Sequence, residues 1–117
     1  MNKDIDIVIY GATGFTGQLC VKYFQSQGLE IKWAIAGRNL EKLQDVSKNL
    51  APDIEILVAD SDDEAGLNDI CSRSKVVLST AGPFHRYGSK LVKACVENGS
   101  HYVCLLYTSD AADDLLC

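Results

Sequence analysis

No run of apolar residues in this 117-residue sequence approaches the roughly 20 needed to cross a bilayer, so no membrane span is expected within it. Nor does the amino-terminal stretch read as a secretion signal, because Asp4 and Asp6 fall where an apolar targeting core would be required. Positive charge is in deficit, with 11 Lys and Arg against 16 Asp and Glu; the net charge of −5 argues against nucleic acid as a partner. Histidine is scarce as well. His85 and His101 are the two present, and each reads as a loop or structural residue rather than a proton donor. The five cysteines, Cys20, Cys71, Cys95, Cys104 and Cys117, have neither the paired spacing of a metal site nor an even count for disulfides. They fit a reducing, cytoplasmic compartment, and Cys20, Cys71 and Cys95 fall in helical patterns where burial is the expected role. With 47% hydrophobic and 23% charged residues the composition is that of a soluble globular domain, and the length allows one domain.

What is present begins at residue 5. Ile5-Asp-Ile-Val-Ile-Tyr10 is an apolar strand that runs directly into Gly11-Ala-Thr-Gly14-Phe-Thr-Gly17, three glycines spaced three apart. Each glycine has a physical task at such a junction. The first lets the chain turn sharply off the strand, the second lets backbone approach a pyrophosphate, and the third lets the following helix pack close to the sheet. An anion would then face the helix N-terminus, where the first N–H groups lack intrahelical acceptors and the macrodipole favours negative charge. Gly11, Thr13, Gly14, Phe15, Thr16 and Gly17 are therefore the candidate phosphate-binding positions of a dinucleotide cofactor. Glycines at this spacing also mark bends and tight packing without a ligand; the apolar strand before them and the helical spacing of Phe15, Leu19, Tyr23 and Phe24 after them favour the phosphate site.

The rest of the chain alternates strands with helices. Lys32 to Ala36 reads as a second strand, Leu40, Leu43, Val46 and Leu50 as the stripe of a helix that Pro52 stops, and Ile54 to Val58 as a third strand. An acidic turn at Asp60-Ser-Asp-Asp63 opens another helix, with Leu67, Ile70 and Cys71 on its apolar side. Val76 to Ser79 reads as a fourth strand, then residues 80–88 as a loop. A helix over Ser89 to Asn98 is stopped by Gly99, and His101-Tyr-Val103 opens a fifth strand. The alternation predicts an α/β fold with a doubly wound parallel sheet, Rossmann-like, in order 3-2-1-4-5 and truncated within the fifth strand.

The end of the second strand bears on which dinucleotide is bound. An NAD site usually carries Asp or Glu there, to accept from the ribose 2′-OH. Here the corner is Gly37-Arg38-Asn39. With no acid to repel a phosphate and a guanidinium able to grip one, the chemistry favours NADP over NAD. Lys42, one turn on, reads as an exposed helix lysine. Asp60, after the third strand, is placed to accept from the adenine amine; capping of the next helix by Asp60 or by Asp62 is equally in keeping with its position. After the fourth strand, Thr80-Ala81-Gly82-Pro83-Phe84 falls beside the cofactor crevice, with Ala81 and Gly82 as candidate contacts and Pro83 and Phe84 as turn formers.

These segments, together with Val58-Ala-Asp60, Gly88 and His101-Tyr-Val103, resemble the saccharopine dehydrogenase-like oxidoreductases, which include trans-acting enoyl reductases. The resemblance spans residues 5 to 103. It implies an NADP-binding module and hydride transfer between the nicotinamide and a small or lipid-like substrate, with substrate groups supplied by a later domain. In relatives an aspartate usually follows His-Tyr-Val, whereas Cys104 stands here and opens an acidic stretch that reads as foreign to the fold, like a translated sequencing adapter. The expected organisation is a nucleotide-binding domain over 1–103 and a non-native tail over 104–117, with no catalytic acid or base assignable and no turnover by this chain alone. The reading leaves open self-association through an unprotected sheet edge, and membrane association of a longer protein. Two other functions stay in contention: a non-catalytic NADP-sensing or interaction module, and a short-chain-type reductase. The latter needs a Tyr-x-x-x-Lys pair, and Tyr87 and Lys90 stand three apart.

Overall fold

The computed structural model describes residues 4–28, 30–50, 53–60, 62–80 and 89–104. Five strands form one parallel sheet in the order β3-β2-β1-β4-β5, as the alternation predicts. The strands are β1 (Ile5–Tyr10), β2 (Trp33–Gly37), β3 (Glu55–Val58), β4 (Ser74–Ser79) and β5 (His101–Cys104). Between them lie α1 (Phe15–Gln27), α2 (Leu40–Leu50), α3 (Glu64–Arg73) and α4 (Ser89–Asn98). β5 takes in Cys104, and the expected tail beyond it lies outside the described residues.

β1 is central because both of its faces are covered. Val8 and Tyr10 join the cluster formed with Leu67, Ile70 and Cys71 of α3 and Leu91, Ala94 and Cys95 of α4. Ile7 and Ile9 pack on the other side with Val21 of α1 and Leu43 and Val46 of α2. A strand buried on both faces needs apolar residues at consecutive positions, which is what Ile7 to Tyr10 supply. Cys71 and Cys95 are both fully buried, their sulfurs 3.3 Å apart across the α3–α4 seam, while Cys20 is half-buried.

Two departures from what apolar spacing alone would suggest have clear causes. On α1, Phe15, Leu19 and Tyr23 are exposed, and Gly17 and Val21 are the buried residues. Residues two apart on a helix lie about 200° apart around its axis, so once Gly17 faces the sheet the 15, 19, 23 stripe must face away. Phe24, half-buried, completes the inner side by packing 5.3 Å from Trp33. The second departure is β4, which begins at Ser74, two residues earlier than the apolar run and directly after α3. Hydroxyls make that abrupt change possible by taking up carbonyls at the end of α3. Ser74 Oγ donates to Ile70 O (2.7 Å), and the Ser100 hydroxyl lies 2.5 Å from Cys71 O and 2.7 Å from Ser74 O. α4 ends as expected, with Gly99 at φ 70° and the Ser100 N–H reaching back to Cys95 O (2.8 Å).

The amino-terminal edge of the sheet is tied by charge. Arg73 Nη2 bonds Glu55 Oε2 (2.8 Å) and Asp4 Oδ2 (3.1 Å), and Lys75 pairs with Asp6 (3.1 Å). The opposite, carboxyl-terminal edge carries the candidate site.

Candidate nucleotide-binding site

Gly11 has φ 87°, a conformation that only glycine adopts without strain, and this turns the chain from β1 toward α1. Its N–H donates to Ala36 O (2.8 Å), so the turn is anchored on β2. Thr80, the residue after β4, holds it from the other side. Its N–H donates to Tyr10 O (2.8 Å), and its hydroxyl lies 3.0 Å from both Tyr10 O and Gly11 O. Gln18 Nε2 donates to Thr13 O (2.8 Å) and fixes the far end of the loop. Neither Gln18 nor the hydroxyl of Thr80 was assigned a role from sequence, because the partners are carbonyls that no spacing rule reveals.

The three glycines are there for different reasons. A Cβ on Gly17 would stand 2.2 Å from Gly11 O and 2.6 Å from Ala12 Cα, so backbone packing of α1 on the loop forbids any side chain. Gly14 differs. Its φ of −79° suits any residue, and among the described residues a Cβ there would meet only Gly11 O at 3.6 Å, an ordinary contact. Neither the backbone conformation nor the packing of the described residues calls for glycine at position 14. At this same point, among the described residues, α1 begins with no side-chain cap and no acid in its first turn.

Arg38 is exposed just past β2, beside Asn39, whose Oδ1 accepts from the Lys42 N–H (3.1 Å) at the start of α2. Among the described residues no carboxylate pairs with Arg38. Lys42 lines a cleft of about 340 Å³ between α1 and α2, together with Thr13, Gln18, Asp45 and Asn49.

Asp60 follows Ala59 at the exit of β3. Its Oδ1 accepts from the Asp62 N–H (3.2 Å) and its carbonyl from the Asp63 N–H (2.9 Å). The cap of α3 is Asp63, whose Oδ1 accepts from the Gly66 N–H (3.1 Å), which corrects the expectation that Asp60 or Asp62 would cap it. The helix starts at Glu64, and a cap must stand immediately before the first helical residue. Asp62 instead meets Lys90 of α4 (3.4 Å). Beneath this corner Tyr10, 3% exposed, donates its hydroxyl to Ala59 O (2.8 Å); burial, and then the charge of Asp60, pushes its phenol up to about 12. Ala81 and Gly82, with Pro83, Phe84 and Gly88, lie outside the described residues. Among the described residues no His, Cys, Asp or Glu group is arranged to hold a metal, and no helix is long and apolar enough to cross a membrane.

The fold is shared with known proteins. Residues 7–115 match the family described as the saccharopine dehydrogenase NADP binding domain. A lipid droplet localized protein of Caenorhabditis elegans is 40% identical over 109 residues, covering 84% of this chain and 25% of the relative. A trans-acting enoyl reductase of Mycobacterium tuberculosis is 40% identical over 103 residues, covering 86% of this chain and 25% of the relative. The chain thus spans about a quarter of the length of these curated relatives. Among solved structures, apo saccharopine dehydrogenase (L-Glu forming) from Saccharomyces cerevisiae superposes with a TM-score of 0.73 at 21% identity, covering 90% of this chain and 22% of the enzyme, a likeness of fold. The chain therefore belongs to the saccharopine dehydrogenase NADP-binding domain family, as a Rossmann-fold, NAD(P)-binding domain of oxidoreductase type.

Proposed function

We propose that this chain is the cofactor module of an NADP-dependent oxidoreductase that moves hydride between the nicotinamide and a small or lipid-like substrate. The observation that carries the reading is Gly14, where among the described residues a Cβ would meet only Gly11 O at 3.6 Å, so that packing does not account for the glycine. In this reading the pyrophosphate lies against the main chain from Thr13 to Gly17 at the N-terminus of α1, and Arg38 takes the 2′-phosphate by charge-assisted hydrogen bonds. Asp60 accepts from the adenine amine, and Ala81 and Gly82, read from the sequence, are further cofactor contacts. The cofactor, when bound, supplies the hydride chemistry; the chain supplies grip, orientation and selection of the extra phosphate. Support for NADP over NAD comes from the β2 corner, where Arg38 stands and no acid competes for the ribose. Residues that act on the substrate belong, in this proposal, to the remaining part of a longer protein.

The test is calorimetric titration of the chain with NADP and with NAD. One or two charge-assisted bonds, each about 1.5 to 3 kcal/mol, make Arg38→Ala weaken NADP binding by tens-fold or more and leave NAD nearly unchanged. Equal losses for both cofactors would remove Arg38 from the phosphate role. Absence of uptake of either by the folded chain would remove the reading as a whole.

A further inference from the structure

Tyr10 carries a hydroxyl into a largely apolar cluster, and the glycine loop that follows it does not use that group. The side chain leaves β1 and reaches β3, two strands away in the sheet. Its register partner on the intervening strand is Ala36, small enough to let the ring pass. At the far end Ala59 is held on three sides. Its carbonyl accepts from Tyr10 (2.8 Å), its N–H donates to Gly37 O (2.9 Å), and a Cβ on Gly66 would lie 2.9 Å from its own Cβ, so α3 is pressed against it. The residues next along the chain from these anchors are Arg38, after Gly37, and Asp60, after Ala59. One hydrogen-bonded line thus runs along the rim from Thr80 through Tyr10 and Ala59 to Gly37, across four strands.

We propose that Tyr10 is a positioning residue for the adenosine half of the dinucleotide site, its hydroxyl fixing the Ala59 peptide and through it the place of Asp60 relative to Arg38. This rests on the dinucleotide reading above. A phenylalanine keeps the ring and its packing but leaves the Ala59 carbonyl without its donor, so the β3 exit gains freedom while the core stays filled. The consequence falls on recognition of adenosine and is transmitted through Asp60.

A double-mutant cycle tests this with the 117-residue chain and adenosine 2′,5′-bisphosphate as probe, affinities being read by calorimetry on samples shown to unfold cooperatively. Tyr10→Phe is expected to weaken the bisphosphate by roughly fivefold to tenfold, the loss of about one buried hydrogen bond. In an Asp60→Ala background the same change is expected to cost less than about twofold. An unaltered affinity in Tyr10→Phe, or equal losses in both backgrounds, overturns the positioning role. If Tyr10→Phe does not fold, Gly66→Ala carries the test, with Asp63→Ala as its control: the added methyl crowds both the Asp63 cap and Ala59 with the hydroxyl in place, and a bisphosphate affinity that is unaltered, or that falls no further than in Asp63→Ala, overturns the proposal. Should the unmodified chain take up neither the bisphosphate nor NADP, it is the dinucleotide reading that has failed, and this proposal falls with it.

Discussion

Substituting alanine at Gly14 and at Gly17 separates the requirements of the ligand from those of the fold. At Gly14, among the described residues, the added methyl meets only Gly11 O at 3.6 Å. Alanine is a poorer helix cap than glycine by about 0.5 to 1 kcal/mol, and the reduced freedom of the unfolded chain offsets that by about 0.4 to 1 kcal/mol. Stability should therefore move by no more than about 0.5 kcal/mol, a Tm change of about 4 °C at most. Binding should suffer far more, because the methyl stands where phosphate oxygens must approach the main chain. Loss of two charge-assisted hydrogen bonds corresponds to about 3 kcal/mol or more, over a hundredfold in Kd. At Gly17 the methyl would overlap backbone, 2.2 Å from Gly11 O and 2.6 Å from Ala12 Cα. Backbone cannot yield as a flexible side chain does, so about 3 kcal/mol of destabilisation and a fall in Tm of about 10 °C or more are expected. Thermal unfolding and NADP titration of both variants decide the matter. A Gly14→Ala chain that binds NADP as tightly as the parent, or that is destabilised as much as Gly17→Ala, would refute the inference that position 14 is reserved for a ligand.

Other consequences can be measured in the same assays. Gln18→Ala removes the donor to Thr13 O on an exposed surface, so NADP affinity should fall about fivefold with little change in Tm; an unchanged Kd would show that the loop holds its shape without it. Arg73→Ala releases Asp4 and Glu55 at the amino-terminal edge of the sheet, and should lower Tm by a few degrees without altering nucleotide affinity, since the site lies at the other edge. The Lys32 N–H and then Lys75 hold the Asp6 carboxyl below its ordinary value, and Arg73 does the same for Asp4. Their contribution is therefore present above the unfolded carboxylate range near pH 4 and is lost as pH falls through the lowered folded values. Tm followed from pH 6 down to pH 3 should drop more steeply in the parent than in Asp6→Asn; superimposable slopes would deny Asp6 that role.

Much of the fold is legible in the sequence because its signals are local. Four apolar residues in succession from Ile7 to Tyr10 mark a strand covered on both faces, and Gly99 marks the end of α4. The glycine turn after β1 is legible for the same reason, each glycine having a fixed place relative to the strand end. What is not legible depends on partners distant in sequence. Phe15, Leu19 and Tyr23 have the spacing of a buried stripe, yet the close approach of Gly17 to Gly11 and Ala12 rotates α1 so that they face outward. The early start of β4 depends on Ser100, 26 residues away from Ser74. The braces on the loop, Thr80 to Gly11 and Tyr10 to Ala59, join residues 69 and 49 positions apart, and no short motif records them.

The paired sulfurs of Cys71 and Cys95 have a practical use. Sealed from solvent at the seam of two helices, they can meet a thiol reagent only when that seam parts. Their labelling rate, with half-buried Cys20 as an internal reference, therefore times the opening of one flank of the molecule without any added probe. Because α4 leads into edge strand β5, the same clock reports how firmly the outermost strand is held.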